Sequence, residues 1–276
     1  MRTLYISDLD GTLLTSDAAL SDYTAQALQQ LIGEGLLFSA ATARTLESSR
    51  RILDAILPLP VPIVLQNGAQ VYDTLEQRYI KKEIIPPEVV LKLVACLRAH
   101  NLSGFLYSLK EARTEVYHED ITRSYMQRFA ALRKTIYGKR FTYTDELADH
   151  ADESIVYFSI QDERENLEGL HASLRGIDGI GCTFYPDSYM KGCWFLECYA
   201  HTASKYNAVR WLRETYGFDK IVGFGDNLND IPLFEACDES YAVANAREEL
   251  KAIATGVIGS NDEDGVAQFL LNEKCE

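Results

Sequence analysis

The sequence predicts an α/β protein, a doubly wound parallel sheet interrupted by an inserted α+β domain at residues 83–189. Three observations carry that expectation. Both ends of the 276-residue chain alternate short apolar runs with stretches of helical periodicity. The middle abandons that alternation. Each end also places paired aspartates directly after an apolar run, where parallel strands open toward ligands.

The elements follow in chain order. Leu4-Tyr5-Ile6 reads as a buried parallel strand ending at Ser7-Asp8. Ser21 or Asp22 is an N-cap for a helix whose Ala25, Leu28, Leu31 and Ile32 recur at helical spacing, and Gly33 and Gly35 end it. Residues 36–41 form a second strand closing at Thr42, and a helix over 45–57 stops before Pro58. A third strand, 62–66, runs into a turn at Asn67-Gly68, and Val71-Tyr72 resumes the extended chain. The far end repeats the pattern: a helix over 203–216, a strand over 220–224, a helix over 230–236, a strand over 241–244 and helices near Arg247 and Asp264.

Between them, residues 83–189 open with Pro86-Pro87 and mix helices at 88–100, 124–132 and 164–174 with strands such as 154–160. That length suffices for a compact domain of its own. Residues 1–82 and 190–276 are expected to form one core domain around it.

Composition narrows the function. With 47% apolar and 25% charged residues the chain is globular, and no apolar run reaches the ~18 residues of a membrane span. Asp8 and Asp10 interrupt the place where a signal peptide would need an apolar segment, which points to the cytoplasm. Acidic residues outnumber basic ones 41 to 27, a net charge of −14 that repels nucleic acid and anionic membranes. The densest basic stretch, Arg128–Arg140, reads as a solvated amphipathic helix and its following turn. The six cysteines, Cys96, Cys182, Cys193, Cys198, Cys237 and Cys275, form no zinc-spaced pair and read as reduced, mostly buried thiols.

Asp8-Leu9-Asp10-Gly11-Thr12 is the strongest chemical signal. Asp-Gly-Thr alone is good turn chemistry, and an EF-hand is excluded because its glycine belongs two positions later. Gly225-Asp226-Asn227-Leu228-Asn229-Asp230 places further carboxylates after another apolar strand, at the same edge of a parallel sheet. Asp8, Asp10 and Asp226 converging there repel one another by several kcal/mol in a low-dielectric site, and a hard divalent cation relieves that repulsion. Oxygen-only ligands favour Mg²⁺ over zinc. Thr42, ahead of a helix, offers a hydroxyl and following N–H groups as an anion site. Lys205 lies in the first turn of its helix, where the dipole disfavours a cation, and so suggests a negative partner.

These residues together resemble the haloacid dehalogenase (HAD) superfamily, specifically its Cof-type, class IIB phosphatases. Asp8–Leu13, Thr42-Ala43-Arg44, Ser204-Lys205 and Gly225–Asp230 match the four motifs in order. Gln66–Ala69 and Asn261–Ala267 resemble further Cof blocks. Residues 9–41 leave no room for a cap between the first two motifs, whereas 43–204 exceed what the core needs, the placement of a C2 cap. The resemblance implies a Rossmann-like core and a Mg²⁺-dependent phosphatase hydrolysing a small phosphate monoester, a sugar phosphate or a similar metabolite. It implies Asp8 as nucleophile and Asp10 as acid and base. Mg²⁺ would sit on Asp8, the Asp10 carbonyl and Asp226. Thr42, Ala43, Lys205 and Asn229 would contact the phosphoryl group, with Asn67 and Asp230 in support. Ala43, where the family commonly has glycine, and Tyr206, after the lysine, depart from the pattern. A monomer or weak dimer is expected. The alternative from another class is a catalytically silent binding protein on this fold, which would be expected to have lost Asp8, Asp10, Lys205 or Asp226.

Overall fold

The computed structural model describes residues 1–110 and 113–273, the side chain of Tyr137 apart, so Cys275 lies outside the described residues. The chain divides into two compact units, Met1–Ile80 with Lys205–Glu276, and Lys81–Ser204. It opens with β1 (Thr3–Ser7), α1 (Asp22–Gly33), β2 (Leu37–Ala40), α2 (Leu46–Leu53), β3 (Ile63–Leu65), β4 (Gln70–Asp73) and β5 (Arg78–Lys82). The second unit holds α3 (Pro87–Ala99), β6 (Phe105–Lys110), β7 (Arg113–His118), α4 (Ser124–Tyr137) and β8 (Phe141–Tyr143). It continues with β9 (Ile155–Asp162), α5 (Arg164–Leu174), β10 (Ile180–Pro186) and β11 (Trp194–Ala200). The first unit resumes with α6 (Lys205–Tyr216), β12 (Lys220–Gly225), α7 (Ile231–Ala236), β13 (Glu239–Val243), α8 (Glu248–Lys251), β14 (Gly256–Ile258) and α9 (Gly265–Glu273).

In the first unit the main sheet runs β14-β13-β12-β1-β2, with every pair parallel. A single parallel bridge, Ala41 to Val64, leads on to β3, which pairs antiparallel with β4. The interiors of these parallel strands are mostly apolar, as expected of a sheet covered on both faces. Leu4, Ile6, Phe38, Ile221 and Phe224 are fully buried, and Leu28 and Leu31 of α1 pack in the same core. Ser21 caps α1 as expected, its hydroxyl accepting from the Thr24 N–H at 3.0 Å.

The second unit is a six-stranded sheet, β10-β11-β9-β6-β7-β8. All its pairs are antiparallel except β7 with β8. Its boundary differs from the expected 189/190: the unit runs to Ser204, because β11 pairs with β9 and β10 and so belongs to this sheet. Arg128–Arg140 also differs in one residue. Lys139 is buried, with its ammonium 4.6 Å from the Tyr107 ring centroid, so it is no part of a solvated face. No helix among the described residues is long and apolar enough to cross a membrane.

Candidate active site

Parallel pairing carries the C-terminal ends of β1, β2 and β12 to one sheet edge. Asp8 follows β1 there and extends the ladder by one bond, its N–H donating to the Phe224 carbonyl at 2.9 Å. Asp226 follows β12, and Thr42 lies just past β2. Lys205 opens α6 and is fully buried.

Lys205 Nζ donates to Asp8 Oδ1 and to Asp230 Oδ1, both at 2.6 Å. Carboxylate oxygens of Asp8, Asp226 and Asp230 lie within 4.8 Å of one another. Three buried carboxylates around one lysine leave a surplus of negative charge in a place with little water to screen it. Burial, then the charge of Asp230, pushes the Asp8 carboxyl up to about 8 against the opposing pull of Lys205. Asp226 is raised by the same causes, with Asp8 adding to them. The two flanking carboxylates outweigh desolvation at Lys205 and raise its ammonium, which is therefore charged.

Asp230 does two jobs. Its Oδ2 accepts from the N–H groups of Asp226 (3.0 Å) and Asn227 (3.1 Å), closing a capping box with Asn227. Its Oδ1 holds Lys205. Glycine is required at 225, since a Cβ there would stand 2.7 Å from the Asp230 Cβ and block that approach. Thr12 donates to Asp226 Oδ1 at 3.2 Å.

Asp10 points to a partner the sequence reading left without a role. The Arg44 guanidinium grips its carboxylate in a fork, Nε to Oδ2 at 2.6 Å and Nη2 to Oδ1 at 2.5 Å, with the Arg44 side chain only 4% exposed. The available signal was a cation two residues past Thr42 at an edge crowded with carboxylates. Thr42 stands three residues ahead of α2's N-cap residue. Its hydroxyl accepts from the Arg44 N–H at 3.1 Å, while Thr45 is the N-cap residue of α2, so Thr42 does not cap that helix. Ala43, between them, is half-buried.

The loop after β3 completes the edge. Gln66, Asn67 and Gly68 all have positive φ (47°, 53° and 101°), and the Asn67 N–H donates to the Thr42 carbonyl at 3.0 Å. Asn229 reaches Asn67 Oδ1 at 3.5 Å, which links the loop after β12 to the loop after β3. Tyr206 packs on the core and its hydroxyl accepts from Arg210 one turn along α6.

The turn carrying Asp10 is braced from far along the chain. Asn245 Nδ2 donates to the Gly11 carbonyl at 2.8 Å, Asn261 Nδ2 to the Leu14 carbonyl at 2.9 Å, and the Asn261 N–H to Asn245 Oδ1 at 3.0 Å. Asp262 accepts from the Ser16 N–H and hydroxyl, and Asp264 from the hydroxyls of Thr24 and Ser21. The block at 261–267 is thus a latch on the segment following Asp10. Asn245 has no local sequence signal, because its partner is a backbone carbonyl at the other end of the chain.

The chain is similar to known proteins along nearly its whole length. The family model described as haloacid dehalogenase-like hydrolase matches residues 5–270. The chain is 25% identical to the 5-amino-6-(5-phospho-D-ribitylamino)uracil phosphatase YwtE of Bacillus subtilis, covering 95% of each chain. It is 26% identical to the pyridoxal phosphate phosphatase YbhA of Escherichia coli, covering 96% of each. In fold it is similar to a solved sugar phosphatase of HAD subclass IIB, with a TM-score of 0.74, 20% identity and all of both chains covered. The relatives named here are HAD-type phosphatases, and this chain belongs to the haloacid dehalogenase-like hydrolase family.

Proposed function

We propose that this chain is a Mg²⁺-dependent phosphatase that transfers the phosphoryl group of a small metabolite to Asp8 and then to water. The observation that carries the reading is the buried Asp8 carboxylate, bonded by one oxygen to Lys205 and clustered with Asp226 and Asp230. All the reacting groups are retained, so nothing favours a silent binding protein.

Mg²⁺ suits the donor set, which is all oxygen, buried and more negative than its one lysine offsets. Asp8, Asp226 and the backbone carbonyl of Asp10 would hold it, since both oxygens of Asp230 already serve Lys205 and two N–H groups. When bound, Mg²⁺ neutralises charge on the phosphoryl oxygens and orients them for in-line transfer.

The side chains divide the remaining work. Asp8 Oδ2, the oxygen not bonded to Lys205, attacks phosphorus to give an aspartyl-phosphate. Asp10 protonates the departing ester oxygen, then removes a proton from the water that attacks the aspartyl-phosphate. Arg44 holds the Asp10 carboxylate in a fixed direction through both transfers. Lys205, Thr42, the N–H of Ala43 and Asn229 receive phosphoryl oxygens and offset charge developing there. Asn67 and Asp230 keep Asn229 and Lys205 in place.

The substrate class is a small phosphorylated metabolite. Sugar phosphates are the first choice, with the ribitylaminouracil and pyridoxal phosphates of the relatives as alternatives. The reading includes a cytoplasmic setting and a monomer or weak dimer.

A panel of phosphorylated metabolites assayed with Mg²⁺, with and without chelator, tests the reading. Turnover is expected with Mg²⁺ and is lost in Asp8→Asn. Full turnover by Asp8→Asn would refute the mechanism.

A further inference from the structure

Cys182 on β10 and Cys198 on β11 lie directly opposite one another in the second unit's sheet. The phase of the ladder fixes what kind of pair they form. Just beyond its two ends, the His201 N–H donates to the Gly179 carbonyl at 3.0 Å and the Asp187 N–H to the Cys193 carbonyl at 2.9 Å. Hydrogen-bonded pairs recur at every second residue and the register between these bonds is unbroken, so they fall on odd-numbered residues of β10. Cys182 and Cys198 are therefore a non-hydrogen-bonded pair, the kind that brings Cα atoms to about 4.5 Å and side chains closest. That separation lies inside the range a disulfide spans without moving the backbone. The two sulfurs are already in contact at 3.5 Å.

The thiols are unequal. Cys198 is fully buried, and burial raises its thiol far above the ordinary range. Cys182 lies on the edge strand β10 and is half-buried, so an oxidant meets it first. A third thiol, Cys96 on α3, lies close enough to be felt by both.

We propose that Cys182 and Cys198 are a redox modification site, a dithiol that a hydroperoxide converts to a cross-strand disulfide and a thiol reductant restores. The Cys182 thiol reacts with hydrogen peroxide to give a sulfenic acid and water. The Cys198 sulfur then attacks the sulfenic sulfur, and the S–OH oxygen leaves as a second water with the Cys198 proton. Both sulfurs are oxidised and the peroxide O–O bond is reduced by two electrons. The bond ties the edge strand β10 to its neighbour β11.

Intact-protein mass spectrometry of the full chain, treated with hydrogen peroxide and quenched with an alkylating agent, tests this. The expected result is a loss of ~2 Da and of two alkylatable thiols, a cross-link between the peptides carrying Cys182 and Cys198, and reversal by dithiothreitol. Cys96→Ser is expected to form the same link. Cys198→Ser is expected to leave a sulfenic acid at Cys182 that dimedone traps. The proposal is overturned if Cys182 in the wild type proceeds to sulfinic acid without a cross-link. A link to Cys96 instead, or two thiols unchanged at peroxide levels that oxidise free glutathione, overturns it as well.

Discussion

Asp8→Asn is expected to stabilise the metal-free protein while abolishing turnover, and the size of the gain depends on pH in a direction the structure dictates. The Asp8 carboxyl is pushed up to about 8 in the folded chain, by burial first and the Asp230 charge second. In the unfolded chain it titrates near 3.9. Because the folded state binds this proton more tightly, the stability it confers is complete below pH ~4. It is lost as pH rises through the folded value. Each unit corresponds to about 1.4 kcal/mol, so the wild type loses on the order of 5 kcal/mol from this group between pH 4 and pH 8. Asparagine keeps an oxygen to accept from Lys205 and carries no charge to desolvate. Urea unfolding in chelator, run at pH 5 and pH 8, should show Asp8→Asn more stable than wild type at pH 8 by several kcal/mol, with the gap reduced to about 1.5 kcal/mol at pH 5. Mg²⁺ should reverse the ranking at pH 8, because the ion stabilises only the chain that can bind it. Equal stabilities at pH 8 in chelator, or a gap that widens toward pH 5, would refute the account of Asp8 as a carboxylate strained by burial.

Three further outcomes follow from the same contacts. Lys205→Met strips the ammonium that the buried Asp8 and Asp230 carboxylates share, so the metal-free protein should lose about 3–5 kcal/mol in urea titrations, with kcat down ~10²-fold or more; unchanged values would remove Lys205 from the site. Arg44→Ala should lower kcat by ~10² with KM changed only a few-fold, and Arg44→Lys should recover part of that loss because it restores charge without the fork; steady-state kinetics decide, and a full-rate Arg44→Ala would end the positioning role. Gly265→Ala would put a Cβ 2.0 Å from the Gly259 carbonyl oxygen beneath the latch, costing ~2 kcal/mol or more, read as a lower Tm by circular dichroism.

What could be read from the chain beforehand has a physical pattern. Lys205 was legible from its place in the first turn of its helix, and Asp8, Thr42 and Asp226 because each is fixed by another local rule. An apolar strand ends, a polar residue follows it, and parallel pairing then brings those ends together. The pairings across the site were not legible in the same way. Arg44 meets Asp10 from 34 positions away, and Asn245 meets a carbonyl 234 positions away, so no window of sequence contains both partners. The boundary at 189/190 failed for a related reason. Trp194–Ala200 is apolar enough to serve as a strand in either unit, and only its pairing with β9 and β10 assigns it to the second.

The same distinction explains how this site tolerates so much buried charge. A carboxylate cluster of this kind is costly until bound, and its neighbours must hold that cost in place between turnovers. Here they do so with backbone and side-chain bonds that demand little of any one residue. Asp230 is fixed by two N–H groups before it meets Lys205, and the Asp10 turn is held by two asparagines before Arg44 grips its carboxylate. The acidic groups expected to react, Asp8 and Asp10, each face a cation anchored elsewhere, Lys205 at the start of α6 and Arg44 in the loop after β2. Removing a cation should therefore cost both stability and rate, while removing the Asp8 charge should cost rate and return stability. That opposition of signs separates a site under electrostatic strain from a merely buried ion pair, where loss of either partner destabilises.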